Sequence, residues 1–128
     1  MAKTVDLTRL AETLRHYRFA YFITVGDDYR AHTTTVTPTY DAGLLDVGPV
    51  GRHGRANLSD RRGVTLVWPG SEVDDYSLII DGQAELSPDP TDPVRVRPTR
   101  ALLHRPAPRD DEQPSPPGVY DCVQLSQD

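Results

Sequence analysis

The apolar positions fall into one helical stretch followed by a series of short strand-like runs. Over residues 6–18, Leu7, Leu10, Ala11, Leu14 and Tyr17 recur at three- and four-residue spacing, while Arg9, Glu12, Arg15 and His16 fall largely elsewhere. That spacing predicts one amphipathic helix lying on a sheet, with Asp6 placed to cap it. Residues 19–25 (FAYFITV) have the aromatic and β-branched composition of a buried strand. Gly26-Asp27-Asp28 signals a turn, and residues 30–40 pair back, so 19–40 reads as a hairpin. Asp41-Ala42-Gly43 is the next turn, and the run Leu44, Leu45, Val47 ends at Gly48-Pro49. Further strands are predicted at 64–68, at 76–86 and at 94–104, the last interrupted by Pro98. In the 76–86 strand Leu78, Ile80, Gly82, Ala84 and Leu86 share one side. A glycine inside such a strand points to a bulge or a close backbone approach.

One helix and six antiparallel strands joined by short turns most readily close into a small barrel, which removes exposed edges. The expected fold is therefore mainly β, a six-stranded antiparallel barrel over residues 1–104 with one N-terminal helix. Residues 105–128 form a proline-rich tail. Within it, 105–118 (RPAPRDDEQPSPPG) has too little apolar surface to order itself and reads as a plain extended connection. Residues 119–125 (VYDCVQL) are a short final strand that docks back or pairs with a second copy.

The strand at 30–40 is unusual. One face carries Ala31, Thr33, Thr35, Thr37 and Thr39, the other His32, Thr34, Val36, Pro38 and Tyr40. Threonine has good strand propensity but little apolar area to bury. Either this strand is solvated, or its hydroxyls and backbone face a polar ligand. Pro38 cannot donate a ladder bond and marks a bulge or an edge.

Charge and composition narrow the classes. The formal net charge of the 128 residues is −5, so nothing attracts the whole chain to nucleic acid or to an anionic membrane. Cys122 is the one cysteine, which excludes an intrachain disulfide and a cysteine metal cluster. His16, His32, His53 and His104 match no zinc spacing, so no metal is expected. There is no apolar leader and no run approaching about 18 apolar residues, so a cytoplasmic protein is the expectation. No H-E-x-x-H, G-x-S-x-G or acid/base pair identifies a catalytic residue.

The segment GRHGRANL (51–58) stands between two strands and carries Arg52, His53, Arg55 and Asn57 among glycines. Glycine lets backbone N–H groups approach an anion, and arginine offers a charged, forked donor. The segment is a candidate phosphate site; the alternative is a solvated basic loop. Residues 55–61 have the length of one or two helical turns, with Asn57 and Leu58 inside. Trp68, at the end of its strand, reads either as core or interface packing or as the wall of a pocket.

The order of these pieces resembles a known group. A helix precedes YFITV (21–25), then a strand ending in VTP (36–38), the basic segment ending in N-L, VTLVW (64–68), DGQAEL (81–86) and VRPTR (96–100). Residues 7–104 or so resemble the pyridoxamine 5'-phosphate oxidase-like family, the flavin-binding split β-barrels. The resemblance implies a flavin-dependent oxidoreductase acting on a small molecule. It also implies a homodimer with two flavin sites at the interface, binding FMN or, in some branches, a deazaflavin or heme. It carries Thr34, Thr35, Val36 and Thr37 onto the lining of the flavin ring. It carries the phosphate onto the loop before N-L, where a Ser or Thr and a Lys are usual. Those positions are Arg52 and Gly54 here, so Arg52, His53 and Arg55 stand in, with Asn57 beside them and Trp68 as a wall contributed across the interface. The family's helix between the last two barrel strands is absent, because 87–93 is too short for it. The missing Ser/Lys pair and that short connection leave a second reading, a non-catalytic split-barrel dimer that binds or carries a small anion.

Overall fold

A computed structural model describes residues 5–72, 75–106 and 120–126. Nine strands form one sheet: β1 (Val5–Asp6), β2 (Ala20–Val25), β3 (Ala31–Val36), β4 (Thr39–Asp41), β5 (Leu44–Gly48), β6 (Gly63–Trp68), β7 (Ser77–Glu85), β8 (Val94–Pro106) and β9 (Tyr120–Ser126). The hydrogen-bonded path runs β1-β9-β8-β7-β6-β2-β3, with β5 joined to β8 and carrying β4. Every pairing is antiparallel except β1 with β9. A 3-10 turn (Leu7–Arg9) leads into α1 (Leu10–Leu14), and α2 (Arg52–Asp60) joins β5 to β6.

The mainly β expectation holds, but the count of six strands does not. The threonine-rich stretch breaks between Val36 and Thr39, where Pro38 interrupts the ladder, and becomes β3 and β4. The C-terminal run docks back as β9, from Ala101↔Leu125 to Pro106↔Tyr120 on β8. Val5 and Asp6 add β1 alongside it. Residues 107–119, which hold most of the proline-rich connection, lie outside the described residues.

Alternation builds the core. Val64, Leu66 and Trp68 of β6 and Leu78, Ile80 and Ala84 of β7 point to one face, where Phe22, Leu45, Val94 and Val96 meet them. Leu10 of α1 and Leu58 of α2 enter the same core and are fully buried.

The longest strand keeps its apolar residues inward by a register shift. Ile80 pairs with Ala101 and Asp81 with Arg100, but Gly82 pairs with Pro98. The extra residue on β8 inverts the alternation, so Val94, Val96 and Pro98 and then Ala101 are all buried. Under strict alternation Arg97 and Arg100, three residues apart, would fall on opposite faces. The bulge turns both outward, to Glu85 at 2.6 Å and Asp81 at 3.0 Å. A Cβ at position 82 would stand 2.6 Å from the Arg97 carbonyl oxygen and 2.6 Å from Val96 Cγ1, so only glycine permits this approach.

The N-terminal helix is shorter than its periodicity suggests. Asp6 belongs to β1 and precedes the 3-10 turn; the N-cap residue of α1 itself is Arg9, without a side-chain cap bond. The chain leaves the helix after Leu14, and the Tyr17 hydroxyl donates to the Tyr76 carbonyl at 2.9 Å. That bond ties the N-terminal segment to the sheet. Burial, with a smaller contribution from Asp75, pushes the Tyr17 phenol above its ordinary value.

Gly82→Ala should lower the unfolding free energy by about 1–3 kcal/mol, the usual cost of overpacking. Gly63→Ala, where a Cβ would meet only Gln83 Nε2 at 3.7 Å, should stay within about 0.5 kcal/mol. Urea unfolding of the two variants measures both.

Candidate functional site

The basic segment is not a loop. It is the nine-residue helix α2, entered through Gly48 with φ 80° and through Gly51, whose backbone is extended. The helix packs through a small residue: a Cβ at Gly54 would collide with Val50 Cγ1, and Leu58 one turn on is fully buried. Position 54 therefore takes a larger side chain, such as the lysine implied there by resemblance, only if Val50 moves.

Three further bonds hold α2. The Asn57 amide donates to the hydroxyl of Thr24 at 3.0 Å, and Thr24 is only 1% exposed. Arg55 Nη2 donates to the Ser87 carbonyl at 2.7 Å, in the turn between β7 and β8. In that turn the Asp89 carboxyl is held below its usual range by the backbone N–H and hydroxyl of Thr91, with Arg55 adding a smaller effect. Just past the helix, Arg61 Nε donates to the Gly26 carbonyl at 3.2 Å and its guanidinium lies 4.7 Å from the centre of the Tyr29 ring.

The first turn of α2 is left open. Gly51 offers no side-chain cap, so the leading N–H groups have no acceptor from it. Arg52 and His53 are exposed there, and Arg52 makes no hydrogen bond or ion pair among the described residues. Beside this turn runs the inner face of β3. His32 pairs across from Thr24, Thr34 from Phe22 and Val36 from Ala20, so these three share a face. The His32 and His53 rings lie 5.8 Å apart, centre to centre, at 52°. That contact joins the threonine-rich strand to the open end of the helix. β3 pairs only with β2, and its other edge is unpaired among the described residues.

No protein-family model matches the sequence. Two mycobacterial proteins do, the uncharacterised proteins Mb0449c of Mycobacterium bovis and MT0457 of Mycobacterium tuberculosis. Each is 44% identical over 138 aligned residues, spanning 98% of this chain and 97% of the relative. The chain belongs to their family. Its architecture matches a candidate pyridoxamine 5'-phosphate oxidase of Listeria innocua, with a TM-score of 0.61, 14% identity and coverage of 75% of this chain and 95% of that one. An F420 reductase gives a TM-score of 0.57 at 16% identity, covering 70% and 94%. General stress protein 26 of Bacillus anthracis gives 0.59 at 14% identity, covering 74% and 93%. The fold is the pyridoxamine 5'-phosphate oxidase-like split barrel.

Within this split barrel the residues singled out from sequence separate into two groups. Arg52 and His53 stand free at the helix start, with Thr34 and Val36 on the facing strand. Arg55 and Asn57 are taken up in holding the helix, and Trp68 is a core residue, 3% exposed. Thr35 lies on the opposite face of β3 from Thr34, paired across from Tyr21, and Thr37 lies beyond the strand end. Sequence reasoning missed His32 as a site residue, although its face of the strand was readable: it alternates with Thr34 and Val36. Among the described residues no three His, Cys, Asp or Glu side chains cluster to hold a metal, and no helix is long and apolar enough to cross a membrane.

The division predicts opposite behaviour for the two arginines. Arg55→Gln should cost about 1.5–3 kcal/mol of stability, the worth of a hydrogen bond from a charged donor. Arg52→Gln should change stability by no more than about 0.5 kcal/mol. Chemical unfolding of both variants distinguishes them.

Proposed function

We propose that the protein is a flavin-dependent oxidoreductase of the split-barrel type, using FMN or a deazaflavin, and that it works as a homodimer on a small-molecule substrate. The observation that carries this reading is the open first turn of α2, with Arg52 and His53 free beside the inner face of β3. A helix N-terminus with unfilled N–H groups suits a phosphate, and an unpaired guanidinium strengthens it. Arg52 contributes one or two charge-assisted hydrogen bonds of about 1.5–3 kcal/mol each, a large part of the roughly −8 kcal/mol of micromolar binding. Thr34 and Val36 line the flavin ring from β3, whose unpaired edge leaves backbone groups for it. A bound flavin supplies the redox chemistry itself; these residues bind and orient it.

The outer face of the sheet supports the homodimer. Tyr21 is 39% exposed, and Ile23, Val25, Val67, Ile79 and Leu102 are half-buried in the lone chain. A depression of about 290 Å³ lies among them, lined in part by Ile23, Val25, Thr65, Asp81 and Thr99. Two nearby pairs of charges are already made, Arg100 with Asp81 and Arg97 with Glu85, which lowers the cost of covering them.

One observation favours the other reading, a non-catalytic dimer that binds or carries a small anion. The wall of Val50 against Gly54 removes the lysine position, and Arg55 is tied to Ser87, so the site keeps fewer cations than the resemblance implies.

Fluorescence titration with FMN and with a deazaflavin decides between them. One of the two should bind at low micromolar concentration or tighter, and Arg52→Ala should weaken it about tenfold to a hundredfold, in line with a lost charged hydrogen bond. Absence of binding by either flavin gives the carrier reading. In sedimentation at micromolar concentration the wild type should run as a dimer and Ile23→Glu as a monomer; a monomeric wild type removes the dimer.

A further inference from the structure

We propose that His32 and His53 form an imidazole clamp for the phosphate of the bound ligand, taking up a proton from solvent as it binds. The inference rests on the reading of α2 as the phosphate site and deepens it.

The two side chains come from different elements, one from the middle of β3 and one from the first turn of α2, and the fold brings them together. Their 5.8 Å separation suits one phosphate held between them by charge-assisted bonds of about 2.7–2.9 Å. Neither ring has a hydrogen-bond or ion-pair partner among the described residues; each has only the other. The usual Ser/Thr and Lys are missing from positions 52 and 54, and the two imidazoles nearby supply donors that Arg52 and the helix end alone do not.

The charged groups around the pair belong to the neighbouring elements. Across from His32, β2 presents the uncharged Thr24. On α2, Arg52 adjoins His53, Arg55 lies beyond it, and Asp60 is at the far end. The turn after β2 carries Asp27, Asp28 ion-paired with Arg30, and Tyr29 under Arg61. Among the described residues no carboxylate forms an ion pair with either imidazole. A phosphate dianion held by the pair favours their charged form, because an opposite charge within about 4–6 Å does so. An imidazolium donates from both nitrogens, so the proton taken up becomes a donor to the phosphate or its surroundings.

The test is calorimetric titration of the full chain near neutral pH with FMN or the phosphorylated deazaflavin, in buffers of different ionisation enthalpy. Proton uptake is compared between wild type, His32→Gln and His53→Gln, so the phosphate's own second proton cancels. Each variant should take up fewer protons than wild type and bind several-fold more weakly. Affinity for the dephosphorylated flavin should be unchanged. Variants whose uptake equals wild type overturn the clamp and leave the phosphate reading standing on Arg52. A wild type that binds neither flavin overturns the flavin reading and, with it, the clamp on a flavin phosphate.

Discussion

Where β7 passes β8, Gly82 lies so close to the backbone of Arg97 that a Cβ would come within 2.6 Å of its carbonyl oxygen. The thirteen residues of β8 pair with β5 and β7 along one part of their length and with β7 and β9 along the rest. A strand that long cannot keep one alternation and still serve both partners. The bulge opposite Gly82 resets it, so that Val96 and Pro98 on one side of the shift and Ala101 on the other all face the core. Without the shift Arg100 would point into the apolar interior, at a cost of several kcal/mol for an unpaired buried charge. Because β5 hangs from β8, and α2 follows β5, the placement of the candidate site depends on the same contact.

The helix α2 shows how the fold and the site share one short segment. Leu58 and Gly54 set its depth, Asn57 ties it to Thr24, and Arg55 ties it to Ser87. Arg55 Nη1 is buried without a partner, which offsets part of what Nη2 contributes. A guanidinium nitrogen closed off in this way is out of reach of a ligand in this conformation, which is a second reason to assign the phosphate to Arg52 and His53. The residues left free to bind come first along the helix, Arg52 and His53, and those that anchor it follow directly, Gly54, Arg55 and Asn57. Tight anchoring near Gly54, Arg55 and Asn57 holds the open end at a fixed distance from β3, and preorganised donors bind an anion at a smaller entropic cost.

Much of the sheet was legible because alternation in β6 and β7 leaves no other face to bury: Leu66, Leu78 and Ile80 specify it, and Gly82 announced its own close approach. The elements that were not legible have small or ambiguous signals. Only the later part of α2 reads as helical, over 55–61, because Leu58 is its one large buried residue and its packing at Gly54 depends on the absence of a side chain. The helix at 6–18 was overread because periodicity marks a face, not an end; the chain leaves the helix after Leu14, and the bond from Tyr17 to Tyr76 O fixes where it goes next. The final strand was legible over 119–125, but its partner β8 was not, and β1 was not read at all; both pairings are non-local, which neither composition nor spacing encodes. At the site, Arg52 and His53 were readable as free cationic and imidazole groups. What Arg55, Asn57 and Trp68 do is decided by neighbours far away in sequence. His32 was hidden for the same reason: its partner lies twenty-one residues on, in a segment not read as a helix.

The two faces of the sheet carry different burdens, and the threonines mark the boundary. Where β2 is flanked by β6, its outer face is apolar and its charged neighbours are neutralised in pairs. Where β2 is flanked by β3, one edge is unpaired and the hydroxyls of Thr33, Thr34 and Thr35 are exposed. An edge strand with large apolar side chains would invite indiscriminate pairing; threonine keeps strand propensity while leaving the edge wet. The same choice keeps that edge competent for a polar ligand, because hydroxyls and free backbone groups satisfy one another through water until something better binds. A wet sheet edge and the recognition proposed at the α2 end thus make the same demand on β3, and neither requires the other to give way.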